Sequence, residues 1–205
     1  MGRSAKSKQI ITNYSKGVIK QENIIKDYGE EYFLLLKMYI NDKNSSTLRE
    51  MITCDIAGYE QNEEKLGYDT KEGCIEIKPK NVTSDSKSKL NGGGNYSDLT
   101  HRRHQKYITD DVTIYTSGFV DGFLMYTIEI PYKMLDQHFQ NGLDKNLPNG
   151  DEKGRYWRSA SFALNHYINF DSVSVKFLRK DITDYKRFIN KNLYKFLLET
   201  KKDGE

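Results

Sequence analysis

The chain has 205 residues, which suits a single domain over residues 1–205 and is enough to bury one sizeable core. Its net charge of +3 is too small to identify nucleic acid as a partner by itself. The two cysteines, Cys54 and Cys74, form no recognisable metal-binding spacing, and no apolar run follows the basic N-terminus. We therefore expect a reduced, cytoplasmic protein without a signal peptide or a membrane span.

The first part of the chain predicts an arm followed by a helix. Residues 1–20 are basic and polar, which favours a frayed arm. Apolar side chains then recur every three to four positions over residues 23–40, which predicts an amphipathic helix. Glu31 falls inside or beside this apolar stripe. It is either an accessory acid of a functional site or a surface carboxylate that reaches water.

A second helix is predicted over residues 47–57. Thr47 and Glu50 have the spacing of a capping box, in which each side chain accepts from the other residue's backbone N–H. Gly58 is a suitable residue to end the helix. Two further candidates for an accessory carboxylate lie near this end: Asp55 and Glu60.

The stretch over residues 67–81 predicts a polar turn that leads into one short strand. Two isoleucines alternate with polar residues, so the strand buries the isoleucines and carries Glu76 and Lys78 on its opposite face. Asp69, across the turn, is expected to come back beside Glu76. Two carboxylates that converge repel each other unless a cation lies between them, and oxygen ligands suit a hard ion such as Mg2+.

The spacing of these residues resembles the core of the PD-(D/E)XK nuclease superfamily, which includes many restriction endonucleases. The family has Asp, a short gap and then Glu-x-Lys on the next strand; here Asp69 is followed, after six residues, by Glu76, Ile77 and Lys78. The short gap is most similar to the branch that holds the mismatch-repair nicking endonuclease. Tyr68 stands where the family's name has proline, and the resemblance covers about fifteen residues.

The resemblance implies a restriction endonuclease-like α/β sandwich and Mg2+-dependent cleavage of double-stranded DNA. Asp69, Glu76 and the carbonyl of Ile77 would hold the ion, while Lys78 would orient the attacking water or stabilise the developing charge. A type II restriction endonuclease acting as a homodimer is the expected member. The alternative is a non-catalytic nucleic-acid-binding protein in which Glu76 and Lys78 form a solvated surface pair.

Residues 80–106 form a basic, glycine-rich stretch that predicts a loop. Three consecutive glycines favour neither a helix nor a strand, and they allow backbone amides to approach a phosphate. The stretch is therefore either a DNA-contacting loop beside the cleavage site or a simple linker. Its predicted DNA contacts are Lys80, Lys89, Asn91, Gly93, Arg102 and Arg103.

Alternating apolar residues predict strands over residues 112–115 and 123–130, with turn residues at 116–118 and 121–122 between them. Both faces of the second strand are mostly apolar, which predicts a central strand covered on both sides. Arg155 and Arg158 flank a Tyr-Trp pair. This segment either contacts DNA, with the rings stacking on bases, or packs its aromatics inside with the arginines at the rim.

The last elements are a short helix over residues 132–139, a loop over 141–154, a strand over 172–178 and an amphipathic helix over 183–199. Helices come first, a strand-rich region follows and a helix closes the chain. This order predicts an α/β fold with a mixed central β-sheet flanked by helices.

Overall fold

The computed structural model describes residues 3–42, 46–62, 64 and 67–200. Within these residues no helix is both long enough and apolar enough to cross a lipid bilayer. The α-helices are α1 Arg3–Ser15, α2 Gln21–Tyr28, α3 Glu30–Asn41, α4 Thr47–Ala57, α5 His101–Thr109, α6 Asp136–Asn146 and α7 Lys191–Thr200. The strands are β1 Ile75–Val82, β2 Gly94–Leu99, β3 Thr113–Val120, β4 Phe123–Pro131, β5 Trp157–Phe162 and β6 Ser174–Leu178.

Four strands form a mixed sheet in the order β1-β3-β4-β6. β1 runs parallel to β3, while β3–β4 and β4–β6 are antiparallel. β2 and β5 form a separate antiparallel pair. The predicted mixed α/β architecture and the central position of β4 are thus confirmed, and β1, which carries Glu76 and Lys78, is an edge strand.

The turn between β3 and β4 lies later than the sequence predicts. β3 continues through residues 116–118, where Gly118 pairs with Tyr126 of β4; a Cβ at Gly118 would lie only 2.2 Å from the Tyr126 ring. The chain reverses instead at Asp121 and Gly122, whose φ angles of 48° and 80° suit a hairpin turn. Only the second of the two predicted turns is therefore present.

The N-terminal helices correct two expectations. The segment predicted as a frayed arm contains α1, whose Tyr14 packs edge to face with Phe33 at a centroid distance of 5.6 Å. The single helix predicted over residues 23–40 is two helices, α2 and α3, because Gly29 between them has φ 88°. α1, α2 and α3 share a small apolar core, against which Leu48 of α4 and Phe123 of β4 also pack.

α4 begins and ends almost as predicted, but its cap is different. The N-cap residue is Ser46 rather than Thr47. The Ser46 hydroxyl donates to the Glu50 carboxylate, and the Glu50 amide donates to the Ser46 carbonyl. Gly58 ends the helix in the left-handed conformation, as predicted.

The glycine-rich stretch is not one loop, because it contains β2 and α5. Gly94 is the first residue of β2 and pairs with Phe162 of β5. A Cβ on Gly93 would lie 2.0 Å from the Phe162 carbonyl oxygen. These glycines therefore allow two backbones to pack closely, a tertiary requirement that local propensity does not reveal.

The C-terminal elements begin and end at other residues than the sequence predicts. The predicted short helix over residues 132–139 is a 3₁₀ turn, Tyr132–Leu135, that continues into α6 through the first part of the predicted loop. The predicted closing helix is a 3₁₀ segment, Ile182–Phe188, followed by α7.

Candidate active site

The acidic site is built on β1 and on the turn before it. Ile75 and Ile77 are buried beside α4, which fixes the strand against the helical layer. Glu76 is also buried, with 3% of its surface exposed, so it does not face bulk water as in a solvated surface pair. A buried carboxylate at a sheet edge needs partners for both oxygens.

Asp69, Glu76 and Lys78 come together in the structure. The Lys78 ammonium lies 2.5 Å from Glu76 Oε2 and 3.6 Å from Asp69 Oδ2. The backbone N–H of Ile77 donates to Asp69 Oδ2 at 2.6 Å, and the N–H of Asp69 donates to the Ile75 carbonyl at 3.0 Å. The turn is thereby tied to β1, and both carboxylates face one cation.

Burial raises the pKa of the Asp69 carboxyl group, and the neighbouring Glu76 carboxylate raises it further. The Lys78 ammonium and the Ile77 amide oppose this shift by stabilising the ionised form. The Asp69 side chain still keeps 36% of its surface exposed, so it reaches solvent through the adjoining cavity. A second positive charge at this point would favour the ionised form of Asp69.

Glu76 is held from behind by α5. The Tyr107 hydroxyl donates to Glu76 Oε1 at 2.7 Å, and Arg103 Nε donates to the Tyr107 hydroxyl oxygen at 2.8 Å. On the other side, the Lys78 ammonium lies 4.7 Å above the centre of the Tyr96 ring. Each Glu76 oxygen thus accepts a hydrogen bond, one from Tyr107 and one from Lys78.

Sequence reasoning missed Tyr96 and Tyr107 and assigned Arg103 to DNA. Arg103 lies instead behind the acidic cluster, where its guanidinium also donates to the Ser97 carbonyl at 2.9 Å. Tyr107 is 31 positions from Glu76 in the chain, so no local spacing links the two residues. The abundance of tyrosine was the available signal, but it does not identify a position.

A cavity of about 660 Å³ opens in front of the cluster. Asp69, Ile77 and Lys78 line one side, and Ser46 and Glu50 at the start of α4 line another. The remaining walls are mostly small or polar: Pro79, Lys80, Asn91, Gly93, Gly94, Asn95, Ser97, Ser161, Phe162, Ala163 and His166.

Glu50 is a further acid in the cavity wall that the sequence did not predict as part of the site. The three predicted accessory acids lie outside this wall. Glu31 is exposed on α3 and Asp55 is exposed on α4, neither of them among the lining residues. Glu60 forms a surface ion pair of 2.6 Å with Lys71. The sequence signal for Glu50 was its position in the first turn of α4, which was interpreted only as a helix cap.

The predicted DNA contacts divide into two groups. Lys80 and Asn91 lie in the cavity wall, joined by a hydrogen bond of 3.2 Å, and burial lowers the Lys80 pKa. Gly93 lines the cavity while packing against β5. Four other predicted contacts are exposed outside the cavity wall: Lys89, Arg102, Arg155 and Arg158.

The aromatic pair beside these arginines is split. Trp157 is half-buried against α6, where a Cβ on Gly142 would lie 2.2 Å from its ring. Tyr156 is 47% exposed, and Arg155 pairs with Glu152 at 3.0 Å. The packing interpretation therefore describes Trp157, while Tyr156 remains accessible to a ligand.

The donor set at the cluster fits Mg2+ better than a metal that needs a complete protein cage. Among the described residues, no group of three or more His, Cys, Asp or Glu side chains is arranged to hold a metal. Mg2+ commonly uses only one or two carboxylates and takes its other oxygens from water and substrate phosphates. Asp69 and Glu76 are two such carboxylates, and both approach the Lys78 ammonium within 3.6 Å.

A comparison of the chain with models of known protein families gives no match, and no curated protein has a significantly similar sequence. The convergence of Asp69, Glu76 and Lys78 is therefore the main indication of function.

Proposed function

We propose that the protein is a Mg2+-dependent endonuclease that hydrolyses phosphodiester bonds of double-stranded DNA. The observation that carries the proposal is the meeting of the Asp69 and Glu76 carboxylates with the Lys78 ammonium, where Asp69 and Lys78 also line a polar cavity. The mixed sheet with flanking helices is compatible with a restriction endonuclease-like sandwich. A type II restriction endonuclease is the member we favour.

In this proposal Asp69, Glu76 and the carbonyl oxygen of Ile77 would hold the ion. When bound, Mg2+ would polarise the scissile phosphate and lower the pKa of a water molecule. The hydrogen bond from Tyr107 keeps Glu76 oriented, and the Ile77 amide does the same for Asp69. Both carboxylates would therefore be preorganised before the ion arrives.

Lys78 would act on the reacting atoms. In the structure its ammonium faces both carboxylates, and in the reaction it would donate a hydrogen bond to the phosphate or to the attacking water. Water attacks phosphorus in line, loses a proton to solvent, and expels the 3′ oxygen, which takes up a proton. The products are a 5′ phosphate and a 3′ hydroxyl.

The cavity wall would accept the phosphodiester backbone. Lys80 and Asn91, which are hydrogen-bonded to each other in the cavity wall, would contact a phosphate next to the cleaved one, and Gly93 would form part of the same wall. The exposed cations Lys89, Arg102, Arg155 and Arg158 would contribute long-range attraction to the duplex. Arg103, although predicted as a DNA contact, would act through Tyr107.

The test is incubation of supercoiled plasmid with the purified protein in Mg2+, with a parallel reaction in excess EDTA. The proposal predicts cleavage in Mg2+ only, with 5′ phosphate ends when the products are mapped. Retarded DNA without cleavage in Mg2+ or Mn2+ would instead favour a non-catalytic binder. Cleavage that persists in EDTA would rule out the metal-dependent site.

A further inference from the structure

Two histidine rings stack at the cavity of the proposed active site, and the proposed mechanism uses neither of them. His138 of α6 and His166, in the 3₁₀ turn that follows β5, have ring centroids 3.7 Å apart and an angle of 16° between the ring planes. His166 lines the same cavity as Asp69 and Lys78, whereas His138 lies outside the lining. The stack therefore joins a residue of the cavity wall to a second ring that supports it.

Backbone partners determine which nitrogen of each ring carries the proton. The N–H of Ala163 donates to Nδ1 of His166 at 3.1 Å, so this nitrogen is an acceptor and the neutral ring carries its proton on Nε2. In His138 it is Nε2 that lies 2.8 Å from the Ser161 carbonyl oxygen. A carbonyl oxygen can only accept, so the neutral His138 ring also carries its proton on Nε2.

The Nε2–H group of His166 is left as a donor at the cavity. Among the described residues, the hydrogen bond of the His166 ring is the one at Nδ1, which leaves Nε2–H without an acceptor. The residue is half-buried, and the Ala163 amide and the His138 ring restrict its rotation. A donor held in one orientation is suited to a ligand that offers an acceptor oxygen.

The electrostatics of the stack favour an anion as that ligand. Burial and the adjacent His138 ring lower the pKa of His166 from its ordinary value of 6.5, so the ring is neutral at pH 7. A bound anion would raise this pKa again, because it stabilises the protonated ring. The other ionisable side chains of the cavity wall are Glu50, Asp69, Lys78 and Lys80. The two lysines supply the positive charge that a phosphate group needs in the same cavity.

We propose that His166 is a phosphate-binding residue of this cavity, and that its Nε2–H donates a hydrogen bond to a non-bridging phosphate oxygen. In combination with the proposed function, on which this clause alone rests, that phosphate belongs to the cleaved strand of the DNA. His138 and the Ala163 amide act as positioning groups, since they contact the His166 ring rather than the phosphate.

Two substitutions of His166 separate phosphate binding from a structural role. Asparagine has an oxygen that can replace Nδ1 and accept from Ala163, but it has no donor at the position of Nε2. Glutamine has an amide that can replace the Nε2 donor, but it has no acceptor at the position of Nδ1. His166→Asn should therefore weaken binding of a DNA duplex by roughly tenfold, and His166→Gln should bind within about threefold of the wild type.

The affinities are measured by fluorescence anisotropy in EDTA, where the proposed reaction does not proceed. Circular dichroism and the thermal midpoint verify that both variants are folded. A structural ring would give the opposite order, with the larger loss in His166→Gln, and that order would overturn the proposal.

NMR of the histidine side chains tests the contact without any need for cleavage or for DNA. In EDTA, inorganic phosphate should raise the pKa of His166 by about 1 relative to sodium chloride of equal ionic strength, because the anion favours the protonated ring. His101 is the reference: it lies outside the cavity wall, beside Asp151 at 3.1 Å, and its signals should not respond.

A His166 ring that responds to neither inorganic phosphate nor the duplex would overturn the proposal, and so would a neutral ring with its proton on Nδ1. A response to inorganic phosphate but not to the duplex would support the phosphate contact and identify a free phosphate group as the ligand. A response to phosphate in a protein that leaves DNA intact in Mg2+ would support the contact and count against the proposed function. The two failures are therefore distinguishable.

Discussion

The hydroxyl group of Tyr107 lies 2.7 Å from Oε1 of Glu76 and donates a hydrogen bond to it, with Arg103 behind the tyrosine. This contact fixes the orientation of a carboxylate that is almost completely buried. A carboxylate held in one orientation loses less conformational entropy when it binds an ion. Tyr107 is therefore a positioning residue, which acts on the proposed metal site through Glu76.

Tyr107→Phe should raise the Mg2+ concentration needed for half-maximal cleavage by roughly 10- to 100-fold, because residues behind a metal ligand typically have effects of that size. The control is Tyr156→Phe, which changes an exposed tyrosine and should leave the Mg2+ dependence unaltered. The measurement is the initial rate of plasmid cleavage against Mg2+ concentration. An unchanged Mg2+ dependence in a folded Tyr107→Phe protein would contradict the positioning role.

Lys78→Met should lower the maximal cleavage rate by about 100-fold or more, because it removes a charge that would act on the transition state. Lys71→Met is its matched control: Lys71 pairs with Glu60 at the surface, so its loss should have little effect. Single-turnover rates at saturating Mg2+ and DNA separate this effect from weaker binding. Equal rates for the two variants would remove Lys78 from the chemistry.

Glu50→Gln should reduce cleavage at limiting Mg2+, by roughly tenfold, because the Glu50 carboxylate adds a negative charge to the wall of the same cavity and thereby attracts the cation. The control is Asp55→Asn. Asp55 is on the same helix but is exposed outside the cavity wall, so this variant should cleave DNA at the wild-type rate. Cleavage rates at low and high Mg2+ provide the comparison. If Asp55→Asn lowers the cleavage rate more than Glu50→Gln does, Glu50 is not the accessory acid.

We expect the folded protein to lose stability in mild acid because of His104. Its side chain is fully buried between the Tyr132 hydroxyl and Asp136, each at 2.9 Å. Burial lowers its pKa more than the Asp136 carboxylate raises it. The neutral ring satisfies both contacts, with one nitrogen donating to Asp136 and the other accepting from Tyr132.

Because the folded-state pKa of His104 lies below its unfolded value, the unfolded state binds a proton first as the pH falls. The free energy of unfolding should therefore decrease below about pH 6.5, by about 1.4 kcal/mol for each unit of pKa difference. Urea unfolding between about pH 7.5 and 5 measures this change, and His104→Asn should show a smaller one. A wild-type stability that is constant or rises towards acid would contradict the assignment.

Local pattern was sufficient to predict the strand that carries the site. The alternation around Glu76 and the polar turn after Asp69 placed both acids on neighbouring backbone, and the structure brings them together. The central position of β4 also followed from its apolar residues on both faces. In these cases the information lies within a few residues along the chain.

Long-range packing accounts for what the sequence did not predict. Gly93 and Gly94 suggest a loop when considered locally, but they pack beside β5, whose sequence lies far along the chain. Tyr107 and Glu50 reach the site only because α5 and α4 pack on either side of β1. Gly29 was an available helix-breaking signal, which the regular apolar spacing around it concealed.

The most direct test of the metal-dependent site compares two glutamates of the same segment. Glu76→Gln removes a buried carboxylate charge from the cluster, whereas Glu72→Gln removes an exposed one from the preceding turn. The measurement is the rate of plasmid cleavage in Mg2+ by the folded variants. Cleavage should be abolished in Glu76→Gln and retained in Glu72→Gln; wild-type cleavage by Glu76→Gln would contradict the metal-dependent site.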